Sequence, residues 1–177
     1  MMKIRALSAN DADAFKALRL EAVQDAPLSF SPSTEEIDSM SAEYCRAQLN
    51  AFEYRTVYGA WSRNQLIAII GVSRDPAKKL RHRANLWGVY TKPPYRGQGV
   101  ARALLEAVLE ALRASGDINT VTLSVNVENM AAKRLYGSAG FVSFGVQRNA
   151  MLVDGLPVHE EHMLLELVRR PALQRVA

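Results

Sequence analysis

Tyr95-Arg96-Gly97-Gln98-Gly99-Val100-Ala101 joins two segments of different periodicity. Upstream, Ala84-Asn85-Leu86-Trp87-Gly88-Val89-Tyr90-Thr91 reads as a strand closed by Pro93-Pro94. Downstream, Val100, Leu104, Leu105, Val108, Leu109 and Leu112 recur at helical spacing. The glycines therefore fall where a strand turns into a helix. Glycine lets the backbone close on a ligand, and a first helical turn offers N–H groups without acceptors together with a partial positive charge. That combination predicts a phosphate-binding loop.

Neither common nucleotide pattern fits. A Walker loop requires Lys-Ser or Lys-Thr after its glycines, and a dinucleotide fingerprint requires a third glycine where this chain has Arg102. What remains is Arg-x-x-Gly-x-Ala, from Arg96 to Ala101. It resembles the acetyl-CoA pyrophosphate loop of the GNAT N-acetyltransferase superfamily. A surface turn could share so short a pattern, so a second block carries weight. Thr120 to Asn126 alternates polar and apolar residues as a strand does, and Asn129 to Tyr136 follows with a helical pattern that ends before Gly140-Phe141. Its form, Asn-x-x-Ala-x-x-Leu-Tyr-x-x-x-Gly-Phe, resembles the second signature block of the same superfamily.

The resemblance implies an α/β fold: a central mixed, mostly antiparallel sheet of six to seven strands, helices on both faces and a splayed central strand pair. It implies transfer of an acetyl group from acetyl-CoA to a primary amine by direct attack in a ternary complex, without a metal. The backbone of Val89, Tyr90 and Thr91 would bond the pantetheine amides as an added strand does. Amides of Gly97, Gln98, Gly99, Val100, Ala101 and Arg102 would hold the pyrophosphate, with charge from Arg96 and Arg102. Asn129 would contact the pantetheine arm, Ala132 would leave room for it, and Tyr136 would act beside the departing sulfur as general acid. Gly88 either marks a bulge in the central strand or accommodates Trp87. Thr91 and Ala101 stand where the family more often has valine and glycine.

The base is not marked. Some relatives carry a glutamate at the position held here by Ser124, and serine needs an activating partner to take a proton. Glu35 or Glu36, near the helical pair that walls the acceptor pocket in this superfamily, is the first candidate for a base or acceptor contact; Glu128, His82, His159 and His162 are others. The His159-Glu160-Glu161-His162 run falls on an expected strand, which sends its imidazoles to opposite faces and argues against a metal site. The acceptor is a small-molecule amine, an amino-acid amine or a protein N-terminus.

Length and composition fit one domain over residues 1–177 with a short basic tail, 168–177, and the resemblance implies that it is an N-acetyltransferase domain. The chain has 177 residues, 49% hydrophobic and 23% charged, with 22 basic against 18 acidic side chains. A net charge of +4 suits an anionic cofactor at least as well as a nucleic acid, and Lys78 to Arg83 and the tail motivate a nucleic-acid-binding module as a rival. A catalytically silent CoA-binding regulator is the second rival. The single cysteine, Cys45, excludes an internal disulfide framework, and no apolar run reaches the roughly 20 residues that span a bilayer. The expected location is cytoplasmic, away from membranes; homodimerisation accords with the superfamily, but no residue argues for it.

Along the chain the expected elements are a strand at Lys3–Leu7, a helix capped by Asn10 or Asp11, a break at 26–33, and a helical region from Ser33 or Thr34 to Ala51. A hairpin follows over Thr56–Trp61 and Gln65–Ser73. The glycine-opened helix runs over Gly97–Ala114, and the closing strands are Phe141–Val146 and His159–Leu167.

Overall fold

The computed structural model describes residues 2–50 and 54–167; Ala51, the expected end of the second helical region, and the basic tail 168–177 lie outside the described residues. Among the described residues, seven strands form one sheet in the order β1-β2-β3-β4-β5-β7-β6. These are β1 (Met2–Ala6), β2 (Arg55–Ser62), β3 (Gln65–Arg74), β4 (Arg83–Thr91), β5 (Thr120–Asn126), β6 (Val142–Val153) and β7 (Leu156–Glu166). Every neighbouring pair is antiparallel except β4–β5. The mixed, mostly antiparallel expectation holds.

Helices cover both faces. α1 (Ala12–Asp25) and α3 (Ala42–Asn50) close one core with Phe15, Leu18, Cys45 and Leu49. α4 (Val100–Ser115) and α5 (Met130–Ser138) close the other. The central strand β3 is buried along nearly its whole length because it feeds both cores, sending Ile67, Ile70 and Val72 to one and Leu66 and Ile69 to the other. All six helical-period residues predicted for α4 are buried. At about 1.5–3 kcal/mol per buried aliphatic side chain, that stripe fixes the helix to the sheet.

Three local expectations are corrected. The region predicted as one helix from Ser33 to Ala51 is two, α2 (Thr34–Asp38) and α3, parted at Ser39–Ser41. Ser33 caps α2 by accepting from Glu36 N, while Ser41 Oγ accepts from Tyr44 N at 3.0 Å, so a second cap signal restarts the helix. At the first helix, the capping box is Ser8 with Asp11 and opens a 3-10 turn, Ala9–Asp11; Asp11 occupies the cap position of α1, but its carboxylate binds Arg5 and Ser8. Finally, β6 and β7 run well past Val146 and begin before His159, joined at Asp154-Gly155, both at positive φ (51° and 78°). That is the Asp-Gly hairpin turn.

Candidate active site

The sheet opens at its one parallel pair. β4 and β5 share register only over Arg83–Asn85 with Thr120–Thr122, although β4 continues to Thr91 and β5 to Asn126. Past Asn85, the edge of β4 that faces β5 has no strand partner. On its other edge, β4 pairs Tyr90 with Ile69 and Trp87 with Gly71, so Gly88 and Val89 together oppose Ile70. Gly88 takes φ 60° in that bulge, and a Cβ there would meet nothing within 4 Å. Of the two readings of Gly88, the bulge is the one observed. The residue that makes room for Trp87 is Gly71: a Cβ at Gly71 would lie 2.2 Å from the indole.

The splay holds a cleft of about 800 Å3. The turn before α4 lines it. Gly97 and Gly99 have φ 73° and 79°, and both face open space where a side chain would stand. The first backbone hydrogen bond of α4 runs from Ala103 N to Gly99 O at 2.9 Å, leaving the amides of Val100, Ala101 and Arg102 without an intrahelical acceptor. Such an end attracts an anion, and Arg102 and Arg134 bring cations to the same wall. Tyr136 also lines the cleft, 5% exposed and packed edge-on to Phe141 with ring centroids 5.9 Å apart. Burial pushes its phenol well above the ordinary tyrosine range, so it stays protonated.

Of the residues expected to line a cofactor groove, the cleft gathers Val89, Tyr90, Thr91, Arg96, Gly97, Gly99, Val100, Ala101, Arg102, Asn129, Ala132 and Tyr136. Gln98 lies outside the lining, its amide donating back to Pro94 O at 2.7 Å. The Arg96 guanidinium is committed to Asp25 and to Thr91 O (2.9 Å) and stacks on Tyr90, so it pins the loop to α1. Asn129 accepts from Ala132 N at 3.1 Å, capping α5 at the cleft wall. Glu35 and Glu36 line neither this cleft nor the cavity beside it: Glu35 is exposed, and Glu36 holds Ser33 N at 2.7 Å.

Residue 124 shows what the sequence reading missed. Ser124 lines the cleft and sits opposite His162 in the β5–β7 ladder, its Oγ 2.8 Å from His162 Nδ1. His162 Nε2 lies 3.2 Å from Gln147 Oε1. That oxygen only accepts, which suits the neutral tautomer carrying its proton on Nε2 and leaving Nδ1 to the serine hydroxyl. His159 is occupied elsewhere, receiving Asn149 N at 3.0 Å. Among the described residues no group of three His, Cys, Asp or Glu side chains is placed to hold a metal, and no helix is long and apolar enough to cross a membrane.

The sequence pattern of the Acetyltransferase (GNAT) family matches residues 20–141. The chain belongs to the GNAT family. Among curated GNAT relatives, the [ribosomal protein bS18]-alanine N-acetyltransferase of Escherichia coli is 39% identical over 66 residues, covering 37% of this chain and 44% of that protein. The N-alpha-acetyltransferase RimI of Mycobacterium tuberculosis is 34% identical over 98 residues, 55% of this chain and 58% of that protein. This chain thus spans less than half of the first relative and under two thirds of the second. The fold is shared with an acetyltransferase of the GNAT family from Streptococcus pneumoniae (TM-score 0.86, 23% identity, 94% of this chain and 99% of that one). It is shared also with YncA of Salmonella typhimurium, solved with its cofactor acetyl-CoA (TM-score 0.84, 19% identity, 97% of each chain).

Proposed function

We propose that this GNAT chain transfers the acetyl group of acetyl-CoA to a primary amine, directly and within one ternary complex. The observation that carries the reading is one cleft lined together by the glycine-opened start of α4, the unpaired end of β4 and Tyr136. Its residues fit CoA: free amides with Arg102 and Arg134 suit a pyrophosphate, and an unpaired strand edge suits the pantetheine amides. Acetyl-CoA, when bound, supplies an acyl carbon activated by its thioester.

The chain supplies the rest. A bulged amide of β4, such as that of Val89, donates to the carbonyl oxygen. Tyr136, protonated and facing the cleft, donates a hydrogen bond to the leaving sulfur. The amine proton passes to Ser124 Oγ as the serine's own proton moves to His162 Nδ1, leaving a cationic imidazole steadied by Gln147. Cys45 is 1% exposed and lines neither cavity, which supports direct attack over an acyl-enzyme.

Thiol release from acetyl-CoA across an amine panel tests this. The wild type is expected to turn over at least one amine. Tyr136→Phe and His162→Gln should each lower kcat on the order of 10²-fold while acetyl-CoA still binds. Tight acetyl-CoA binding with no turnover of any amine would sink the proposal and leave a silent CoA-binding regulator.

A further inference from the structure

Beside the cleft lies a second cavity of about 440 Å3, within the size range of small-molecule sites. The two share lining from Phe30, Trp87, Gly88 and Ser124, so the second adjoins the first beside Ser124. Its lining is electrically lopsided. Arg19 and Arg55 face it from α1 and β2, and both guanidiniums lie against the indole of Trp87, 5.8 Å and 4.1 Å from the ring centroid. Neither has a carboxylate within ion-pair distance among the described residues, whereas Arg5, Arg74, Arg96 and Arg113 each do. Among the described residues Arg19 otherwise meets the Met40 sulfur at 3.9 Å and the face of Phe15, and Arg55 Nε is buried without an acceptor.

Two desolvated cations side by side disfavour one another, and burial pulls both below the ordinary arginine range, with the charge of Arg55 adding to the effect on Arg19. A guanidinium in such a place is matched by planar oxyanions, which it binds through a fixed fork of donors. Ser124 and Glu160 line the same cavity, the latter on the same face of β7 as His162 and in no ion pair among the described residues. Two cations, a carboxylate and a serine hydroxyl lining one small cavity suit a zwitterion.

We propose that this cavity is the acceptor subsite and that it selects small amines carrying an oxyanion, such as free α-amino acids: Arg19 and Arg55 take the carboxylate, and Glu160 and Ser124 take the ammonium. The inference rests on the acetyl-transfer reading and narrows it. It also separates this chain from an enzyme for protein N-termini, because a peptide's first residue presents a neutral amide where the guanidiniums need an anion.

The test pairs acceptors that differ only in the anion: glycine with methylamine, alanine with ethylamine, phenylalanine with phenethylamine. Aminomethylphosphonate beside glycine separates a phosphonate from a carboxylate, and a tetrapeptide with a free N-terminus represents proteins. The wild type should favour the anionic member of each pair by roughly 10²-fold or more in kcat/KM, and Arg19→Gln or Arg55→Gln should collapse that ratio, chiefly through KM. Arg55→Lys, which keeps the charge but not the fork, should recover only part of it. Calorimetry of the same amino acids against CoA-loaded protein reads the subsite without chemistry. Arginine-dependent binding with no turnover would support the subsite while the transfer reading fails. Turnover of methylamine or of the tetrapeptide without any preference for the anionic partner would overturn the subsite and leave transfer standing. Absence of both preference and binding overturns it outright.

Discussion

Gly99 carries two constraints at once. Its φ of 79° is reached cheaply only by glycine, and the space where its side chain would stand is the space in front of three free amides. Glu at this position would strain the turn and place a carboxylate where those amides and Arg102 await an anion. Gly99→Glu should therefore weaken acetyl-CoA binding by at least about 100-fold by calorimetry, since a displaced charged contact costs about 2–5 kcal/mol. An unchanged affinity would mean that the diphosphate is held elsewhere. The neighbouring Gly97 has the same geometry, yet it was the spacing of the pair that made the loop legible. Arg96 shows the reverse. As a residue type it suggested a phosphate ligand, and its position opposite Asp25, 71 residues earlier in the chain, made it a pin.

At the scale of elements, α4 aims the cradle and the seam under it keeps it aimed. Leu105 is 1% exposed in the core shared with β3 and β5, and its truncation removes packing without touching a free amide. Leu105→Ala should cost about 2–5 kcal/mol in urea unfolding, with acetyl-CoA affinity in the folded protein changed by less than about threefold. A much larger loss of affinity would show that the helix shifts on its bed. Elements with one dominant period were readable: α4 by its stripe, β5 by its alternation, the β2–β3 hairpin by its polar turn. The α2–α3 break and the β6–β7 hairpin were written in short signals, Ser41 and Asp154-Gly155, that a longer pattern concealed. The Ser124–His162 contact was not readable from the chain. Ser124 and His162 meet because β7 pairs with β5 in one particular register, and a one-residue slip would turn the histidine to the other face. Arg19 and Arg55 were hidden for the same reason, lying on elements that only the folded sheet brings to one indole.

Across the whole molecule, charge pairs tie one element to another at the edges of the cores. Arg5–Asp11 locks β1 to the start of α1, Arg74–Asp117 holds the end of β3 to the loop before β5, and Lys133–Glu161 joins α5 to β7. Each cation holds its carboxylate below the usual range through a hydrogen bond, and Asp11 falls to about 2. A carboxylate lowered in the folded state stabilises it at every pH above the unfolded value, and that contribution fades as pH drops through the unfolded and then the folded value. For Asp11, starting from 3.8, the window runs from about pH 4 to about pH 2. Its share is about 2 kcal/mol at most, reduced by the solvent that reaches Arg5. Asp117 and Glu161 act in the same direction, so the melting temperature should be flat near neutrality and fall steeply below about pH 4. Asp11→Asn isolates the largest part of that slope. The variant should be about 1–2 kcal/mol less stable than wild type at pH 7 in urea unfolding, and the gap should close as pH approaches 2, because the wild-type carboxylate is by then losing its own charge. A deficit of the same size at both ends of the range would assign the role of Asp11 to its hydrogen bonds with Ser8 and remove the ion pair from the account.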